Sequence, residues 1–70
     1  MGEDLIEPLT RRELDVIKLM ARGLTNAEIA AQLVITTGTV KVHATNIYSK
    51  LGVSGRLRAV QMAQELGWLH

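Results

Sequence analysis

Apolar side chains recur along this chain at helical spacing, in four runs separated by polar or glycine-bearing breaks. Leu14, Ile17 and Ala21 share a face in the first run, with Met20 beside them. Ile29, Ala30 and Leu33 do so in the second, Val40, Ala44, Ile47 and Leu51 in the third, and Ala59, Val60, Ala63 and Leu66 in the fourth. Each run opens on a hydroxyl residue able to accept a hydrogen bond from the free amides of a helix start. Thr10 precedes Glu13 by three residues, and Thr25 precedes Glu28 by three, the spacing of a capping box. Thr36 opens the third run with Thr39 where the box would have Glu or Gln, and Ser54 is the candidate cap of the fourth. Pro8 suits the chain ahead of the first helix. Gly23, Gly52 and Gly67 supply left-handed exits. These signals predict helices over 11–22, 26–33, 37–51 and 55–66. Leu33-Val34-Ile35, the one short β-branched run, is read as a turn between the second and third. Helices this short are marginal alone, so their apolar faces must pack together. The expectation is an all-α, four-helix bundle, with residues 1–8 an N-terminal extension or linker and residues 9–70 the folded domain.

Seventy residues allow one small domain. The absence of cysteine excludes disulfides and thiol chemistry, and two histidines, His43 and His70, are too few for a dedicated metal cage. No apolar run approaches the roughly 20 residues of a membrane span. Glu3 and Asp4, with no basic stretch, argue against a secretory signal, so the expected location is cytoplasmic. The net charge of +1 says little until it is divided. Residues 1–35 carry net −2, whereas residues 36–58 hold Lys41, Lys50, Arg56 and Arg58 with no acid. A polyanionic partner would therefore meet the third quarter of the chain.

On a helical wheel the third helix turns Val40, Ala44, Ile47 and Leu51 inward. Its outer side collects Gly38, Val42, Thr45, Asn46 and Ser49, flanked by Lys41 and Tyr48 on one edge and by His43 and Lys50 on the other. An ordinary solvated helix face mixes Glu with Lys; this one has no carboxylate. Either small residues fell there and nothing binds, or the helix lies in the major groove of DNA, whose walls repel carboxylates. In the second case Gly38 and Thr45 permit close approach, Lys41 reaches a guanine edge or a phosphate, and Val42 touches a thymine methyl. Two helices joined by the short 33–36 turn, the second capped by Thr, form a helix-turn-helix pattern.

An ordered set of residues sharpens that choice. It runs Leu9-Thr10-Arg11-Arg12-Glu13, Gly23-Leu24-Thr25-Asn26-Ala27-Glu28-Ile29-Ala30, Thr39-Val40-Lys41-Val42-His43, Asn46-Ile47, Lys50-Leu51-Gly52-Val53, Arg56 and Ala59-Val60. The set resembles the LuxR-type helix-turn-helix domain of bacterial transcription regulators, also called the GerE- or NarL-type output domain. The likeness covers about residues 9–66. It implies a third helix in the major groove of double-stranded DNA, with Lys41, Val42, Thr45 and at times Gly38 at base edges. It also implies phosphates near Thr25, Asn26, Thr36 and Thr39, with His43, Asn46 and Lys50 close by. The fourth helix would form a homodimer contact through Leu57, Gln61 and Gln64, and a sensor domain would lie upstream.

Departures from the pattern bear on detail. Thr45 stands where relatives often carry Lys or Arg, and Gly55 replaces the usual Asn or Ser before Arg56. Thr25 and Thr36 replace Ser while keeping the cap. Individual roles stay open: Glu13 completes a cap, His43 either packs or meets a phosphate, and Lys50 either contacts DNA or complements the helix dipole. Tyr48 and Trp68 are expected in packing. No nucleophile–base–orienter set, metal spacing or Gly-rich phosphate loop is present, so neither enzymatic activity nor a cofactor is expected. The rival readings are a helical protein-interaction module and a sigma-factor promoter-reading domain, whose relatives lack His-x-x-Asn-Ile and Leu-Gly-Val runs.

Overall fold

Both predicted capping boxes form. The Thr10 hydroxyl accepts the Glu13 N–H at 3.1 Å while the Glu13 carboxylate accepts the Thr10 N–H at 3.0 Å. Thr25 and Glu28 repeat the exchange at 3.1 and 2.8 Å. The computed structural model describes residues 9–69, so the expected extension over residues 1–8 and the terminal His70 lie outside the described residues. Within them the helices are α1 (Arg11–Ala21), α2 (Asn26–Leu33), α3 (Thr37–Leu51) and α4 (Arg56–Glu65), with no strand among the described residues. Thr36 caps α3 by accepting the Thr39 N–H at 3.1 Å, and its hydroxyl also pairs with that of Thr39 at 3.0 Å. Ser54 is not the cap of α4: Gly55 occupies that position and offers no side-chain hydrogen bond.

All four helices end in the same way. A residue two or three past the helix returns its N–H to a carbonyl five residues back: Leu24 to Leu19, Ile35 to Ala30, Val53 to Tyr48 and Trp68 to Ala63, at 2.9–3.2 Å. This closure needs a left-handed residue just before it, which Gly23, Gly52 and Gly67 supply with φ of 88°, 70° and 77°. Each returning residue is apolar and packs against the core. The α2 end is the exception in chemistry, because Val34 adopts the left-handed conformation with φ 58°. A β-branched residue there is strained, and its side chain is 88% exposed, so no packing offsets the strain.

α3 packs against all three other helices, whereas the backbones of α2 and α4 do not approach each other closely. Its Val40, Ala44, Ile47 and Leu51 are buried, as the wheel predicts. Ile17, Ile29 and Ile47 centre the core, and Ala59 and Ala63, one turn apart, put a small-residue face of α4 into it. Two sequence expectations need correction. Ala21 is exposed; the inward stripe of α1 is Glu13, Val16, Ile17 and Met20, with Leu19 also buried. The predicted stripe omits Glu13, whose charge gives no apolar signal, and so lies a position off. Leu66 is also exposed, at 41%, because the chain turns at Gly67 and Trp68 comes back to the core in its place. Tyr48 and Trp68 both pack at the core edge, as expected.

Glu13 is the buried charged residue of the described core, at 4% exposure. Its Oε1 accepts the Lys50 ammonium at 2.8 Å as well as the Thr10 N–H, joining the start of α1 to the last turn of α3. Burial alone would raise the Glu13 pKa. The hydrogen bonds from Lys50 and Thr10, with the Lys50 charge, outweigh that and leave it below the ordinary value of 4.5.

Two outcomes follow. Val34→Asn, which tolerates the left-handed conformation, should raise stability by about 1 kcal/mol, read as a higher urea midpoint at unchanged m; a lowered midpoint would show that the valine makes a contact worth its strain. Because the folded pKa of Glu13 is depressed, its contribution is present above pH 4.5 and is lost as pH falls through the folded value. Glu13→Gln should cost about 1.5–3 kcal/mol at neutral pH, the scale of a hydrogen bond to a charged group, and flatten the acid limb of a pH–stability curve. An acid limb identical to that of the unaltered chain would remove Glu13 from that role.

Candidate nucleic-acid interface

The core fixes which side of α3 remains outside. With Val40, Ala44, Ile47 and Leu51 turned in, Thr37, Gly38, Thr39, Lys41, Val42, Thr45, Asn46 and Ser49 are all exposed. They form a convex strip of small polar side chains. Val42 stands out of it with 58% of its surface exposed, an apolar group surrounded by hydroxyls and amides. α3 carries no acidic residue, and among the described residues Lys41 has neither an ion pair nor a hydrogen bond. Gly38 adds relief to the strip. A Cβ built there would meet only the Thr36 hydroxyl, at 3.8 Å, so the missing side chain serves no packing need of the protein.

The phosphate-side candidates fall in two groups. Thr25 and Thr36 are exposed and begin α2 and α3, with Thr39 and Asn46 exposed on α3. His43 is half-buried at the edge of the strip. Asn26, the first residue of α2, is half-buried, and its side-chain oxygen accepts a hydrogen bond from Arg56 Nη2 at 2.9 Å. Lys50 is also half-buried, with its ammonium against Glu13 rather than extended along the strip. The complement-the-dipole reading of Lys50 names a real feature, since it is the basic residue in the last turn of α3, but it misses this carboxylate.

Leu57, Gln61 and Gln64 form one exposed stripe on α4, Leu57 with 71% of its surface free. Gln61 accepts a hydrogen bond from Arg58 at 3.3 Å. A separate cleft of about 810 Å³ lies between α1, the end of α2 and the chain beyond α4, lined by Lys18, Leu19, Arg22, Leu33 and Leu69 among others. No residue of α3 enters it, so the candidate strip is a protruding surface rather than a pocket.

Two tertiary contacts escaped the sequence reading. Lys50 and Glu13 are 37 positions apart, and Arg56 is 30 from Asn26. No local spacing rule relates residues at such separations. The signal available for Glu13 was indirect, a charged residue at a position in register with Val16, Ile17 and Met20.

Comparison with known proteins identifies the family and the fold. A family model described as bacterial regulatory proteins, luxR family (GerE), matches residues 7–63. The transcriptional regulatory protein LiaR of Bacillus subtilis (strain 168) is 54% identical over 64 residues, which are 89% of this chain and 30% of that protein. The HTH-type transcriptional regulator MalT of Serratia proteamaculans (strain 568) is 48% identical over 59 residues, 84% of this chain and 6% of that protein. The chain thus spans under a third of the length of either regulator. The structure of the transcription factor GerE matches with a TM-score of 0.84 at 40% identity, over 89% of this chain and 92% of that one.

Proposed function

The chain belongs to the LuxR family of bacterial regulatory proteins, and on that premise we propose that it binds double-stranded DNA sequence-selectively as the output domain of a bacterial transcription regulator. What carries this reading is the outer face of α3, exposed, free of carboxylates and held by an apolar inner face on a helix-turn-helix scaffold. α3 lies in the major groove. Lys41, Val42 and Thr45 read base edges, and Gly38 lets the backbone come close. Thr25, Asn26, Thr36, Thr39, His43 and Asn46 set the register by meeting phosphates, with Lys50 at the edge of that contact. Binding is the whole activity; no bond is made or broken.

So few cations neutralise few phosphates, and each contributes only about −0.9 to the slope of log affinity against log salt. A single copy therefore binds weakly, and two copies pair through Leu57, Gln61 and Gln64 of α4 to occupy two half-sites. Residues 9–70 constitute the binding unit and residues 1–8 its N-terminal extension. A sensor domain lies upstream in the working regulator, in keeping with the chain's small share of LiaR and MalT. Its place of action is the cytoplasm.

The test is a fluorescence-anisotropy titration of labelled duplex. Lys41→Ala should weaken binding by about 1–3 kcal/mol if it meets a base edge, and Val42→Glu by more. Unchanged affinity in both would show that this face does not bind. Gly38→Ala separates fold from contact: it should stabilise α3 by about 0.5–1 kcal/mol yet weaken DNA binding, because only the DNA competes for that space. Tighter binding by that variant would rule out close approach at Gly38.

A further inference from the structure

Arg56 is the first residue of α4, yet its guanidinium reaches back to the start of α2. Nη1 donates to the Leu24 carbonyl and Nη2 donates to Asn26 Oδ1, at 2.9 Å for the latter. These acceptors flank Thr25, the cap of α2. The backbones of α2 and α4 do not approach each other closely, and this side chain bridges the gap. The contact also fixes a direction. A guanidinium has five N–H donors and no acceptor, so the Asn26 amide can face it only with its oxygen. The NH₂ must then point the other way. Among the described residues it has no hydrogen-bond partner, and it is not among buried polar atoms left unsatisfied, so solvent reaches at least part of it.

We propose that Arg56 is a positioning residue for DNA binding, holding the Asn26 side-chain amide with its oxygen inward so that its NH₂ donates to a DNA phosphate. This rests on the DNA-binding reading above and assigns Arg56 no contact with DNA of its own. Without the guanidinium the amide is free to rotate, and either end can face the phosphate. An oxygen presented there repels the anion, so the bound state must select one orientation at a cost in affinity.

The experiment has two arms, both with a mixed-sequence duplex at low salt. In the first, the side-chain NH₂ resonances of Asn26 in the unaltered ¹⁵N-labelled chain are followed by NMR as duplex is added. They should shift together with the backbone amides of Lys41 and Val42. Shifts at Lys41 and Val42 without one at the Asn26 NH₂ would overturn the positioning role alone; no shift at any of them would overturn the DNA-binding reading with it. In the second, affinities of Arg56→Gln, Asn26→Ala and the double variant are compared, with backbone spectra confirming that each is folded. Each single change should weaken binding roughly ten-fold, the scale of a hydrogen bond to a charged group. The double variant should be scarcely weaker than either single one, because Arg56 acts through Asn26. Additive losses would show that Arg56 acts independently of Asn26 and would overturn the proposal.

Discussion

The geometry of this domain depends on one buried carboxylate. Glu13 sits among Val16, Ile17 and Met20, where an isolated charge would be strongly disfavoured. It persists because it is shared between two needs: it closes the cap of α1 and accepts the ammonium of Lys50 at 2.8 Å from the far end of α3. Removing Lys50 would leave a buried carboxylate without its counter-charge, and such a loss costs more than the intact pair adds to net stability. The pair ties the last turn of α3 to the start of α1. Since α3 packs against every other helix, its angle decides what the outer strip from Gly38 to Asn46 presents to a partner.

The rest of the scaffold is a solution to shortness. Helices of 8 to 15 residues cannot hold themselves, and the chain has no phenylalanine and only one each of tryptophan and tyrosine to fill a core. Isoleucine, valine and alanine fill it instead, and each helix end folds back to add one more apolar side chain: Leu24, Ile35, Val53 or Trp68. The identical closure at all four ends keeps the connections tight. At the α2–α3 turn the left-handed residue is Val34 and not glycine, so the joint that sets α2 against α3 is the strained one.

Function then divides along α3. Inward, branched aliphatic side chains anchor it; outward, small polar groups and one free-standing valine offer shape and hydrogen bonds without negative charge. In the proposed reading, this division is what lets a domain with net charge of only +1 meet a polyanion. Of the acids in the first half of the chain, Glu13 is buried against Lys50, Glu28 is engaged in the cap of α2, and Asp15 lies within 3.7–3.8 Å of Arg11 and Arg12. None of these is on the α3 strip.

Much of this was written in local order. Capping boxes, glycine exits and the 4-3-4 spacing of Val40, Ala44, Ile47 and Leu51 depend on residues at most four apart, so they identified four helices and the inner and outer faces of α3. The candidate base-facing residues follow from the same periodicity together with the family likeness. Contacts across 30 to 37 residues have no such periodicity. Only the folded chain brings Lys50 to Glu13 and Arg56 to Asn26, turns Ala21 and Leu66 outward, and makes Val34 left-handed. Local hydrogen bonding and hydrophobic spacing are determined by the sequence directly; which polar groups meet once the helices pack is decided by the tertiary structure, because that packing sets the distances on which their pairing depends.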